Sequence, residues 1–460
     1  MIAIAIVFFG ALALLFIGLN KEEKSLKLAA ASILGSAGIS IFAESKGIIN
    51  VDAFFTWVPA GMITFNPTAQ VIAAILTVMA MIIINLMPAV SRKGMDVIAL
   101  MMFSLCGGLL MIGAQHLVVL FLGIEILSIP LFVLAGSEKD DIYGNEASLK
   151  YFLMGAFSTA IFLLGATFLY GGSGTMYYHE ILLRLSFAEH FGEFPILMQT
   201  GLILVSVGLL FKVSAVPFHF WSPDVYEGSP NRIAAFMAII VKIAGFAAFA
   251  QLLTAFVPMQ TWYSNWMLPI SAITVLAGNI MALAQQSYKR MLAYSSISHA
   301  GYLLLFLLQP IQENFQVLGV YLLSYGLGTA VLFYLFDKYA TSQDKTVGIF
   351  TGIAYTNRFD AMALIVATLT VAGIPSTIGF IAKYQLFTAA FPTAMWGVLL
   401  ALVGSAISIS YYFKPFRVLF KTESDVQPSI HFTWKYVCLL GVTLSMVILG
   451  LFPVLLNWIF

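Results

Sequence analysis

The sequence predicts an all-α polytopic membrane protein with about fourteen transmembrane helices. Three observations predict it: 61% hydrophobic residues against 9% charged, apolar runs of spanning length, and a one-sided placement of Lys and Arg between those runs. Soluble domains carry about 25% charged residues. So few charges cannot cover a water-facing surface, and lipid must be the solvent for most of the chain. A net charge of +1 points to no nucleic-acid partner.

A spanning helix needs roughly 20 apolar residues. Apolar runs between polar punctuation lie near 1–19, 27–43, 68–90, 95–113, 116–136, 148–171, 197–220, 232–256, 264–284, 291–309, 315–337, 360–390, 394–413 and 436–458. The first lacks a basic start and a small-residue cleavage site, and reads as a retained helix rather than a signal peptide. The fourth and fifth are separated only by Ala114, Gln115 and His116, so that turn must be tight. Residues 44–67 are apolar but hold two prolines and read as a loop. Cys106 and Cys438 each sit in an apolar run and read as packing residues, not as a disulfide or metal pair.

Orientation follows the basic residues of the loops. With both termini outside, the inside loops hold Lys21, Lys24, Lys27, Arg92, Lys93, Lys139, Arg232, Lys289, Arg290, Lys338, Lys345, Arg358, Lys414, Arg417, Lys421 and Lys435. The outside loops hold only Lys46 and Arg184. One missed span would mix the two sets, so the asymmetry also supports the helix count.

The remaining basic residues fall in or at the edge of apolar runs: Lys150, Lys212, Lys242 and Lys383. Glu125 lies about ten residues into the fifth run. An ionised side chain at mid-membrane costs about 2.5–3.5 kcal/mol even on lenient scales, so such groups face a bundle interior or a watery cavity. A desolvated lysine gives up its proton more readily, and a nearby carboxylate reverses that. One acid and several lysines on separate helices therefore suit a proton relay. Static ion pairing explains one Glu–Lys pair but leaves three lysines without an equally deep acid.

Pro217 falls in the seventh run, five residues after Lys212, and Pro375 in the twelfth, eight residues before Lys383. An interior proline removes a backbone hydrogen bond, and discontinuous helices at matching points of two repeats mark ion sites in many transporters. The two prolines stand five helices apart. Five is odd, so helices 4–8 and 9–13 run in opposite senses, the arithmetic of two inverted five-helix repeats with discontinuous helices 7 and 12. The chain reads as one membrane domain, 1–460. It divides into N-terminal helices (1–93), a first repeat (94–256), a second repeat (264–419) and a C-terminal helix (435–460).

Several segments carry a family resemblance: LFLGIEILSIPLFVL (120–134), SLKYFLMGAFSTAIFLLGATFLYGGSG (148–174), GLLFKVSAVPFHFWSPDVYEGSP (208–230), KRMLAYSSISHAGYLLL (289–305) and VAGIPSTIGFIAKYQLF (371–387). In these the chain resembles the subunit N family of bacterial NADH–quinone oxidoreductase (respiratory complex I), relatives of cation/proton antiporter subunits. The resemblance spans helices five to twelve. Sister subunits M and L carry a Leu-Pro-Asp-Ala-His and Glu-Ala-Pro-Thr style where this chain has Pro-Asp-Val-Tyr. Subunit M usually has glutamate where Lys383 stands, and the chain ends without the long lateral helix of subunit L. Asn231-Arg232 departs from the small residues usual after Ser229-Pro230.

The resemblance implies that Glu125, Lys150, Lys212, Lys242 and Lys383 form a proton channel. It also implies a multi-pass protein of the cell inner (cytoplasmic) membrane that pumps protons while other subunits pass electrons from NADH to quinone. No cofactor is expected on this chain; NADH, FMN, iron–sulfur clusters and quinone belong to partners, which include neighbouring antiporter-like and small membrane subunits, with lipid around them. In agreement, the sequence has no Gly-x-Gly-x-x-Gly with a following acid, no Walker loop, no Cys-x-x-Cys and no His-Glu-x-x-His. His219 and His299 are further relay candidates. Tyr294, Ser295, Ser296 and Ser298 suit either water-holding or interhelical hydrogen bonding. Asp224 and Glu227 read as solvated loop acids after helix seven, with Asp224 a candidate for proton uptake. Two alternatives remain at this point: a subunit of a multisubunit sodium/proton antiporter, and a structural subunit that moves no ions.

Overall fold

Lipid offers the backbone no hydrogen-bond partners, so a chain of this composition must satisfy its N–H and C=O groups within helices or a closed barrel. The computed structural model takes the helical route and describes residues 1–17, 23–45, 61–86, 94–190, 194–340, 345–421 and 434–459. Among the described residues there is no strand, only three isolated bridges between connections.

Helices α1 (Ile2–Ile17), α2 (Glu23–Ser45) and α3 (Pro67–Leu86) precede α4 (Gly94–Gly113), α5 (Leu117–Ala135) and α6 (Ile142–Ser173). The tight turn expected at 114–116 is present. Its backbone is laced to two other connections by Gln115 N–H to the Met62 carbonyl and Leu117 N–H to the Met176 carbonyl, both 3.0 Å. The His116 side chain caps α5 by accepting from Val118 N–H at 3.2 Å. Of the expected 44–67 loop, α2 takes the first residues, 61–66 are non-helical, and 46–60 lie outside the described residues. Residues 87–90 of the third run do too.

A helix absent from the sequence reading follows. α7 (Tyr178–His190) buries Tyr178, Ile181 and Leu185 along one stripe and keeps polar residues on the other. That is an amphipathic helix rather than a span, and it packs on residues 254–259. The seventh run is two helices, α8 (Ile196–Lys212) and α9 (Trp221–Gly228). The eighth is α10 (Asn231–Phe236), a π turn at Met237–Val241, and α11 (Lys242–Leu253). α12 (Gln260–Ala284), α13 (Tyr288–Phe306) and α14 (Ile311–Tyr339) match the next three runs. After the short α15 (Ile353–Thr356), the twelfth run is again two helices, α16 (Arg358–Ala372) and the start of α17 (Ile378–Tyr412). α17 also contains the thirteenth run, the two parts meeting at a kink where Ala394 leaves helical geometry just after Pro392. α18 (Lys414–Leu419), α19 (Trp434–Leu451) and α20 (Leu456–Ile459) complete the chain.

By length and composition nine helices among the described residues are apolar enough to cross a membrane. Some of these merge two runs: 231–284 and 378–419 are each continuous. The core lies around α10, α11, α13 and α14, whose residues are buried almost throughout. Helices α1, α6 and α19 instead expose apolar side chains such as Phe9, Phe157 and Leu444. Both cysteines are free, and Cys106 is buried in the core.

The loops that the charge count assigns to the inside meet one another. Tyr288 N–H donates to the Lys345 carbonyl at 3.0 Å, Gly352 N–H to Val418 at 3.2 Å, and the Lys414 ammonium to Leu283 at 2.8 Å. The connections at 61–66, 114–116 and 174–177 gather at the opposite end.

Candidate functional site

Both expected proline sites are complete interruptions rather than kinks. Residues 213–220 separate α8 from α9, and residues 373–377 separate α16 from α17. Pro217 and Pro375 sit inside these gaps. Proline alone does not explain them, since Pro130 and Pro269 lie within unbroken helices. What sets the gaps apart is left-handed backbone: among the described residues the only non-glycine positions with positive φ are Ser214 (φ 60°) and Ser376 (φ 75°). Left-handed geometry costs an L-residue roughly 1–2 kcal/mol, and such strain concentrates where function requires it.

Each gap frees a carbonyl, and a lysine ammonium takes it. Lys242, 1% exposed on α11, donates to the Val213 carbonyl at 3.2 Å and also to the Ser296 carbonyl on α13. Lys383, 6% exposed on α17, donates across the second gap to the Ala372 carbonyl at 2.7 Å. The carbonyl end of a half-helix carries partial negative charge, which suits both contacts. Lys383 also donates to Ser405 Oγ at 3.1 Å and lies 5.0 Å from the Tyr302 ring centre.

Lys212 is the last residue of α8, 2% exposed, and donates to Ser128 Oγ at 2.6 Å. The rings of Phe132 and Phe211 lie 5.6 and 5.7 Å from its nitrogen, within cation–π range. Glu125, half-buried one helical turn before Ser128, accepts from Thr159 Oγ1 at 2.8 Å. Glu125 and Lys212 thus flank Ser128, with no direct ion pair between them among the described residues.

From Lys242 the polar line continues through α13. Ser295 and Tyr412 share a hydroxyl–hydroxyl hydrogen bond. Tyr412 lies 3.2 Å from His299 Nε2, and His299 Nδ1 lies 2.8 Å from the Tyr321 hydroxyl. His299 and Lys383 then line one cavity of about 10 Å³ with Tyr321, Ser324 and Thr370, a volume suited to a single water. His299 is therefore on the line that joins the lysines. His219 is not: it is buried in the first gap against the Phe220 ring, and its Nδ1 makes no hydrogen bond among the described residues. Ser298 donates to the Ser295 carbonyl, and Tyr294 lies under Arg290.

The inside end differs from the sequence reading. Asp224 and Glu227 are not loop acids; they lie on α9. Asp224 pairs with Lys150 at 3.0 Å and with Arg290 at 2.8 Å, and Arg290 reaches Glu227 at 2.9 Å. Burial alone raises the Asp224 carboxyl, but the Lys150 and Arg290 donors outweigh it and hold it below the ordinary carboxylate range. Lys150 does not open its helix: α6 begins two turns earlier, and Glu146 on the preceding turn also pairs with it, at 2.6 Å. Lys289, counted as a loop cation, is 5% exposed and donates to the Ser229 carbonyl. Beside it a cavity of about 230 Å³ is lined by Glu138, Asp141, Glu227, Lys289, Asp337 and Lys345. Burial first, then the charge of Asp141, pushes Glu138 above the ordinary carboxylate range. Among the described residues no group of His, Cys, Asp and Glu is placed to hold a metal ion.

Buried amines on three helices, two interrupted helices and a hydroxyl–imidazole line between them make an arrangement able to pass a proton laterally through the bundle. Comparisons with known proteins agree with it. The profile of the family described as NADH:quinone oxidoreductase/Mrp antiporter, TM, matches residues 114–408. NADH-quinone oxidoreductase subunit N of Cytophaga hutchinsonii is 39% identical over 365 residues, 78% of each chain. A chain of respiratory complex I from Thermus thermophilus with bound aureothin superposes with a TM-score of 0.83 at 31% identity, covering 99% of this chain and 98% of that one. A chain of the Mrp complex from Dietzia sp. has a TM-score of 0.84 at 17% identity, covering 100% and 96%, and shows the fold alone. The chain belongs to the NADH:quinone oxidoreductase/Mrp antiporter family of membrane subunits.

Proposed function

We propose that this chain is the proton-translocating, antiporter-like membrane subunit of an NADH–quinone oxidoreductase, a multi-pass protein of the bacterial inner membrane with both termini outside. The observation that carries the reading is the buried line from Glu125 through Lys212, Lys242 and His299 to Lys383, in which no lysine has a fixed carboxylate partner. An amine held only by hydroxyls and carbonyls changes its proton affinity when a neighbouring charge moves. The gathering of the basic loops at one end supports the orientation. The matching gaps, each with one left-handed serine, support two inverted repeats over 94–256 and 264–419.

In this reading the inside cavity at the ends of helices seven and eight takes up protons, with Glu138 as an acceptor and Asp224 on its flank. Glu125 and Lys212 act as the switch, with Lys150 modulating it from the Asp224 cluster. Lys242 passes the proton along the axis, and Lys383 hands it to the outside. NADH, FMN, iron–sulfur clusters and quinone belong to partner subunits, and energy arrives through the neighbouring membrane subunits. The antiporter alternative has no observation of its own here, because the Mrp likeness is one of fold.

The test is Lys212→Ala and Lys383→Ala in the assembled complex, scored as protons moved per NADH oxidised in inverted vesicles. Each is expected to lose most of its pumping. Full stoichiometry with a normal electron-transfer rate would make the relay wrong and leave a structural subunit.

A further inference from the structure

The C-terminal helix α19 lies outside both proposed repeats, yet it touches the second interrupted helix at two separate points. At its inside end the Tyr436 hydroxyl accepts from Asn357 Nδ2 at 2.5 Å and from Lys338 Nζ at 3.1 Å. Those same two donors hold Asp360, whose side chain is fully buried in the first turn of α16. Tyr339 adds a third donor to Asp360 at 2.5 Å. Asn357, in turn, caps α16. The base of α16 is thus tied to α14 and to α19 through one buried carboxylate.

The second point is the gap itself. A Cβ placed on Gly450 would stand 2.3 Å from the Thr377 carbonyl carbon and 2.7 Å from Ile378 N. α19 therefore presses backbone to backbone on the residues where the chain re-enters helix, next to the left-handed Ser376. Between these two points runs α16, whose last carbonyl, Ala372, accepts from Lys383.

We infer that α19 is a brace for the second interrupted helix, and that Gly450, Tyr436 and Asp360 are positioning residues that set the distance between the Lys383 amine and the Ala372 carbonyl. A half-helix of fifteen residues, cut free at one end, needs both of its ends fixed if that contact is to stay in register. α16 is pinned below by the Asp360 cluster, and the gap above it is held in place by the close approach of Gly450. The first interrupted helix has no counterpart to this outer helix. Its inside half, α9, is held only by members of the bundle, through Lys150 and Arg290.

This inference rests on Lys383 acting in the relay, and the experiment separates the two. In the intact complex, Gly450→Ala is compared with Gly441→Ala, a glycine of the same helix whose added Cβ meets nothing within 4 Å. Tyr436→Phe, which keeps the ring and removes only the hydroxyl, is the milder variant in case Gly450→Ala fails to assemble. The readouts are protons moved per NADH oxidised and the pH profile of pumping, at a measured electron-transfer rate. Expected is a fall in the ratio and a displaced pH profile for Gly450→Ala and Tyr436→Phe, none for Gly441→Ala, and a loss at least as large for Lys383→Ala. A wild-type ratio and profile in Tyr436→Phe and in any assembled Gly450→Ala, beside a defective Lys383→Ala, overturns the brace. An unimpaired Lys383→Ala overturns the relay reading beneath it.

Discussion

At the first interruption, residues 213–220, the freed carbonyl of Val213 is taken by a lysine from a different helix, and acidic side chains surround the region: Glu125 on α5, Asp224 and Glu227 on α9. At the second, residues 373–377, the lysine belongs to the interrupted helix itself and reaches back over the gap to Ala372. Lys383 has no carboxylate partner among the described residues; the acid nearest in sequence, Asp360, sits at the far end of α16. The two halves therefore answer to different inputs. The first responds to charge, since moving a counter-ion near Lys212 changes what that amine holds. The second responds to backbone geometry, since only the position of a carbonyl and two side chains steadies Lys383.

Changes at the second gap should therefore be the more damaging. Gly373 has φ +79°, and a Cβ there would meet Lys383 Cδ at 2.5 Å. Gly373→Ala adds the left-handed penalty to an overpacked contact, about 2–5 kcal/mol together. It should lower thermal stability and displace the Lys383 amine, abolishing pumping in vesicles; an active, stable variant would break the comparison. Next in size is Ser128→Ala at the first gap, which leaves the buried Lys212 ammonium without its acceptor. A loss of about 1–3 kcal/mol is expected, read by chemical denaturation, with a shifted pH profile of pumping. The same alanine at Ser405 should cost less, because Lys383 keeps Ala372.

Ser214→Gly and Ser376→Gly sharpen the comparison from the other side. Glycine removes the left-handed strain but adds chain entropy, so each should stabilise by under about 1 kcal/mol. Differential scanning of the detergent-solubilised complex checks it, and unequal gains would show which gap is the more strained. The smallest effect concerns Asp224. Its carboxyl titrates below the ordinary range, so its contribution is complete above that range and disappears as pH falls through the folded value. Asp224 is 34% exposed and screened by solvent, so the contribution is about 1 kcal/mol or less. Asp224→Asn should flatten the acid limb of the stability curve and leave stability above neutrality shifted by no more than that.

The spans and the deep charges were legible because lipid makes both conspicuous: a mid-membrane lysine stands out of an apolar run whatever surrounds it. The partners of those lysines were not. Val213, Ser296 and Ala372 offer main-chain carbonyls, which every residue has, so no side-chain signal marks them. Tyr321 and Tyr412 join the line through hydroxyls that the sequence cannot distinguish from aromatic packing. Arg290 and Lys289 were counted as loop cations because they border an apolar run, while their pairing with Asp224, Glu227 and the Ser229 carbonyl depends on which helices meet. α7 was missed because its stripe of three buried positions is too sparse for a run-length reading. The gaps were found through proline, yet Pro130 and Pro269 would have nominated two more; Gly373 was the additional signal at one gap, and nothing comparable precedes Ser214.

The wide turn at Met237–Val241 ends immediately before Lys242. Such a turn accommodates one residue more than ordinary winding. Deleting any single residue from it would restore regular pitch and swing everything on one side by about 100° about the axis. The amine of Lys242 would then point away from α13, although no side chain of the pathway had been altered. Alignment of the pathway is stored here as a number of residues, so in this stretch an insertion or deletion is expected to be more disabling than any conservative exchange.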